Sequence, residues 1–147
     1  MRIAVSACLL GETCKYNGGN NLRPELVEAL QGHEVVPVCP EVFGGLTTPR
    51  VPAEIVQGEV RNREGESVDA AFRRGAEAAW ERMQAAGGCD LAVLQPRSPS
   101  CGVGTIYDGT FTGTLVPGDG IFATLLRERG IPCVSADDPA LPVILAK

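Results

Sequence analysis

The chain has one histidine in 147 residues, no Cys-x-x-Cys pair and little aromatic content, at 5%. It also has no apolar run near the ~18 residues a bilayer-spanning helix needs. Each shortage excludes something. His33 follows Gly32 in a turn ahead of a strand-like segment, a surface position. Ser-His-Asp and Cys-His catalysis, which need a histidine beside the nucleophile, are therefore removed. Without paired Cys-x-x-Cys knuckles, a structural four-cysteine zinc site has no support. Thirteen Lys and Arg against eighteen Asp and Glu give a net charge of -5. That balance argues against a partner bound through its phosphate backbone, so a nucleic acid is not expected. Arg61, Arg63, Arg73 and Arg74, interleaved with Glu64 and Glu66, read as a solvated face.

What is present is six cysteines, 18 glycines, 11 prolines and a 44% hydrophobic fraction, a composition that fits one globular domain over residues 1–147. The early apolar stretch is too short for an export signal and reads as a buried strand. Six thiols with an ordinary core and no such signal argue against a disulfide scaffold and for the cytoplasm.

Apolar, β-branched segments predict strands at residues 2–10, 34–41, 89–96 and 131–138, with Pro37 a weak spot in the second. Helical spacing predicts helices at 22–30, with Asn21 as N-cap, at 68–85, with Ser67 as N-cap and Trp80 and Met83 in the core, and at 120–130. Residues 42–67 read as a long loop and then a hairpin or extended segment, and 104–120 as a small hairpin or loop; the final PALPVILAK has no assigned place. Strands alternating with helices predict a single layered α/β domain, a mostly parallel sheet flanked by helices, Rossmann-like or flavodoxin-like. In such sheets ligands bind beyond the carboxyl ends of the strands.

That rule sorts the cysteines. Cys8 and Cys39 fall near the ends of strands one and two, and Cys101 in the stiff loop QPRSPSCGVG that leaves strand three. Cys89 opens strand three at the opposite edge and Cys133 lies inside strand four, so both read as structural. Cys14, six residues past Cys8, is ambiguous. Three converging thiols suit a metal or cluster with one open position, while chance packing of small cysteines in a core remains the competing explanation. Glu41 beside Cys39 is a candidate proton carrier or a loop cap, and Ser98 and Ser100 precede Cys101. Tyr107 and Asp108 reach the same edge, although YDG is first of all a turn. Lys15 and Arg97 are the activators that a cysteine nucleophile would use instead.

The segments VSACLLGETCKYNGGNN, VPVCPEVFGGLTTPRVPAEI and SPSCGVGTIYDGTFTGTLVPGDGIFATLL, in this order and over nearly the whole chain, closely resemble the bacterial thiouracil desulfidase (TudS-like) family. The resemblance implies a [4Fe-4S] cluster with three cysteine ligands, at positions matching Cys8, Cys39 and Cys101, and one open iron. It leaves Cys14 outside the ligand set as a spare thiol. It further implies that a thiolated pyrimidine such as 2-thiouracil, or a small thioamide, is the substrate, and that its thiocarbonyl becomes a carbonyl without net electron transfer. Glu41 would move the proton, with Ser98 and Ser100 orienting the heterocycle. Gln95 and Pro96 depart from the more polar Lys-Ser type of the family, which puts the substrate range in question. The alternative from another class is a non-catalytic zinc or iron–sulfur module that senses metal or redox state.

Overall fold

The computed structural model describes residues 1–146. Strand β1 (Arg2–Ser6) buries Ile3, Ala4 and Val5 and breaks into a 3-10 turn at Ala7–Leu10. The strand expected through residue 10 therefore stops at Ser6: the turn sends Leu9 into the core and leaves Cys8 beyond the strand. Helix α1 (Pro24–Ala29) begins with proline, whose missing N–H is harmless there. Its N-cap is Arg23 and not Asn21, because Asn21 folds back on Cys8, its backbone N–H donating to the Cys8 carbonyl at 2.9 Å. Strand β2 (Glu34–Val38) accommodates Pro37 because it lies at the sheet edge. The predicted run to residue 41 is cut short by α2 (Pro40–Phe43), one turn of helix with Cys39 at its N-cap.

Strands β3 (Ala53–Val56) and β4 (Glu59–Asn62) form an antiparallel hairpin turning through Gln57 and Gly58. Helix α3 (Asp69–Ala85) buries Phe72, Ala76, Ala79 and Met83. Trp80 is only half-buried, with the Arg129 guanidinium 5.0 Å from its ring centre. Ser67 does not cap this helix, whose N-cap is Val68; Asp69 instead accepts the Val60 N–H at 3.0 Å and ties the helix start to the hairpin. The fully buried strand β5 (Leu91–Leu94) is followed by a second hairpin, β6 (Thr105–Tyr107) with β7 (Leu115–Pro117). Helix α4 (Ile121–Glu128), strand β8 (Cys133–Ser135) and helix α5 (Leu141–Leu145) complete the chain. The tail with no assigned place thus buries Leu141 and Leu145.

The central sheet runs β2-β1-β5-β8, all parallel. Renumbered within the sheet this is 2-1-3-4, the flavodoxin-like branch of the expected α/β class. Alternation along the strands divides two cores. Ala4, Val36, Val38, Ala92 and Leu94 face α3 and α4, while Ile3, Val5, Leu91 and Val93 face α1 and α5. The direction of winding reverses between β1 and β5, where a crevice opens at the carboxyl edge.

One close approach fixes the flank of that crevice. A Cβ on Gly75 of α3 would lie 1.7 Å from the Pro40 carbonyl oxygen, so only glycine lets α2 rest on α3 at this distance. The turn carrying Cys39 and Glu41 is thereby set against the longest helix.

Candidate functional site

Register brings the strand ends into line. Ser6 pairs with Val38 and Val5 with Val93, so β1, β2 and β5 finish together. Cys8 lies two residues beyond β1, Cys39 one beyond β2, and the loop after β5 returns to deliver Cys101. A cleft of about 460 Å³ opens here, with Cys8, Cys14, Cys39 and Cys101 all on its walls together with Glu41 and Ser98. Neither Cys89 nor Cys133 lines it. All six cysteines are free thiols.

The four cleft thiols are chemically unequal. The Cys14 thiol, on the same cleft wall, favours the thiolate forms of both Cys8 and Cys39. Cys8 is drawn down to about 7: Cys14 contributes most, burial opposes, and the Asn21 amide, 3.5 Å from the sulfur, assists. Cys39 is lowered by Cys14 first, against burial, with help from the Val42 N–H. Cys14, the shared donor, is raised for the same reason. Burial pushes Cys101 up, opposed by the Ser6 hydroxyl. Among the described residues, no three Cys, His, Asp or Glu side chains close to the spacing of a single ion.

Glu41 lies in the first turn of α2, largely buried, and burial raises its carboxyl above the ordinary range. Arg50 opposes that shift, its Nε donating to Glu41 Oε1 at 3.2 Å. The other arms of the guanidinium donate to the Cys14 carbonyl at 2.9 Å and to Thr48 Oγ1 at 3.1 Å.

The two serines separate. Ser98 Oγ accepts the backbone N–H of Ser100 at 3.1 Å and of Cys101 at 2.7 Å, which bends the loop around the thiol. Ser98 lines the cleft. Ser100 is almost wholly buried behind the wall, its hydroxyl 3.8 Å from the Cys101 sulfur. Asp108 is turned into its own loop, accepting from the Thr110 N–H at 2.9 Å and hydroxyl at 2.6 Å, and does not line the cleft, whereas Tyr107 does. His33 stays near the opposite strand ends, bonded to the N-terminus and to the Leu145 carbonyl.

Two features were not read from sequence, and a third, Gln95, was read only as a departure from the family pattern. Arg50 gave no signal beyond being a cation beside a proline. Glu54, buried in β3, accepts the Gly109 and Phe111 N–H groups and brings the 108–113 loop onto the cleft. Gln95 lines the cleft, and its Oε1 is buried without a hydrogen-bond partner.

The chain is similar to known proteins over nearly all its length. The 2-thiouracil desulfurase family model matches residues 3–138. A solved structure of a [4Fe-4S]-dependent thiouracil desulfidase, TudS, superimposes with a TM-score of 0.89 at 40% identity, covering 99% of this chain and 97% of that one. An uncharacterised protein of Bacillus subtilis (strain 168), YbbK, is 34% identical over 146 residues, covering 92% of this chain and 96% of that protein.

Proposed function

The chain belongs to the 2-thiouracil desulfurase family, and on that premise we propose that it replaces the thiocarbonyl sulfur of a thiolated pyrimidine, such as 2-thiouracil, with oxygen from water. Hydrogen sulfide is released, and a [4Fe-4S] cluster is the cofactor. The observation that carries this reading is the convergence of Cys8, Cys39 and Cys101, from three separate elements, on one cleft.

The donor set fits the cluster. The thiols are soft ligands, and Cys8 and Cys39 are biased toward the thiolate form that iron requires. Cys8, Cys39 and Cys101 would hold it, leaving one iron without a protein ligand. Held there, the cluster would supply Lewis-acid chemistry suited to a soft thiocarbonyl sulfur.

The remaining steps belong to the chain. Glu41 takes a proton from the attacking water and returns it toward the departing sulfur, a task suited to a carboxyl raised by burial and restrained by Arg50. Ser98 has both lone pairs committed to backbone N–H groups, so its O–H proton is the part left to face the substrate. Ser100, behind the wall, steadies the Cys101 thiol. A thiocarbonyl and one water give a carbonyl and one hydrogen sulfide, so no electrons enter or leave and no reductant is needed. Six free thiols suit a reducing compartment, in line with the cytoplasm.

The test is anaerobic reconstitution with iron and sulfide, followed by sulfide-release assays with 2-thiouracil and 4-thiouracil. Brown protein, turnover, and loss of both in Cys101→Ala are expected. Colourless protein after reconstitution, or tightly held zinc with no turnover, would replace this reading with the metal-sensing module.

A further inference from the structure

Among the described residues, one buried side-chain nitrogen or oxygen lacks a hydrogen-bond partner: Gln95 Oε1, in the wall of the cleft that carries the thiols. Buried acceptors nearby have partners. Glu54 takes two backbone N–H groups, as does Asn62. An orphaned acceptor is costly and marks a position that something else completes.

The backbone holds Gln95 where it is. Its N–H donates to Ser6 Oγ at 3.0 Å, which fixes the residue at the β1–β5 switch point, one position beyond β5. Pro96 restrains it to an extended conformation and offers no N–H of its own to satisfy the side chain.

We propose that Gln95 is the residue that recognises the heterocycle, its carboxamide pairing with the –NH–C(=O)– edge of the thiolated pyrimidine. This rests on the function proposed above and names the group that reads the substrate. A carboxamide presents one acceptor and one donor side by side. In 2-thiouracil and 4-thiouracil alike, N3–H lies between the thiocarbonyl and the remaining carbonyl. Rotation of the carboxamide about its last torsion frees the buried Oε1 to accept N3–H while Nε2 donates to that carbonyl, so one side chain reads both isomers while the sulfur stays free to face the thiols. An acceptor-only ligand, such as a carboxylate or phosphate, would leave Oε1 orphaned.

The experiment compares wild type, Gln95→Met and Gln95→Glu, reconstituted anaerobically, on 4-thiouracil and on its N3-methyl derivative. Wild type should favour the unmethylated base by about tenfold or more in kcat/KM. Both variants should raise KM about tenfold with kcat little changed, and Gln95→Met should lose the discrimination against N3-methylation. Thermal unfolding of the cluster-free protein supplies a readout independent of activity: Gln95→Met, which removes the orphan, should melt a few degrees higher. Equal use of the N3-methyl base by wild type, or unchanged KM in both variants, overturns the role of Gln95 while leaving the desulfidase reading intact. Absence of turnover by wild type with either base overturns both.

Discussion

Arg50 and Glu41 form a nearly buried ion pair, Nε to Oε1 at 3.2 Å, and the same guanidinium holds the Cys14 carbonyl at 2.9 Å. One side chain therefore positions the candidate proton carrier and the loop bearing the fourth thiol. Lysine has neither the fork nor the reach to replace it. Arg50→Lys should lose most activity, and Arg50→Met should also destabilise the fold by about 1–3 kcal/mol, since a charge is left with less compensation. Removing Arg50 takes away what lowers the Glu41 pKa, so that pKa rises further. The acid limb of the pH–rate profile in Arg50→Met should accordingly move to higher pH; a limb that stays in place would detach Arg50 from Glu41.

Glu41→Gln keeps the shape of the carboxylate and removes its proton chemistry. Turnover should fall by about 10²–10⁴-fold while iron content and the visible spectrum of the reconstituted protein stay as in wild type. A variant that retains full turnover would assign the proton transfer to another group.

The cluster-free protein should show ordered thiol reactivity. Cys8 is lowered to about 7 and Cys133 raised to about 11. Alkylation followed by mass spectrometry should therefore modify Cys8 near neutral pH and Cys133 only in alkali. Because the folded pKa of Cys8 lies below its ordinary 9.0, its contribution to stability is complete above pH 9 and is lost as pH falls through 7. Cys14→Ala removes the largest cause of that lowering and should move Cys8 modification to higher pH.

Gly75→Ala tests the support of the site at a distance. The added methyl meets the Pro40 carbonyl at 1.7 Å, and neither backbone can yield cheaply. Denaturant unfolding should show a loss at the upper end of the ~1–3 kcal/mol typical of overpacking, together with weaker cluster retention. An unchanged midpoint would show that α2 and α3 separate freely.

Much of this arrangement was legible because it follows from strand polarity. Hydrophobic runs marked the four sheet strands, and their alternation with helices implied parallel pairing. Polarity alone then placed Cys8, Cys39 and Cys101 at one edge and excluded Cys89. Local detail was lost where tertiary contacts override propensity. Asn21 resembles an N-cap but is drawn to Cys8, and the strand expected through residue 41 gives way to a helical turn seated on Gly75. The roles of Cys14, Arg50 and Gln95 depend in part on partners far along the chain, Cys39, Cys14 and Ser6 respectively, and no spacing rule reaches that far.

The most direct measurement follows oxygen and sulfur together. Reconstituted protein is incubated anaerobically, without reductant, with 2-thiouracil in ¹⁸O-labelled water, and the uracil is analysed by mass spectrometry while sulfide is assayed. The account predicts one ¹⁸O incorporated and one sulfide released per uracil, with both lost in Cys8→Ala, Cys39→Ala and Cys101→Ala. Uracil formed without solvent oxygen, a requirement for added electrons, or undiminished turnover in any of the three variants would contradict it.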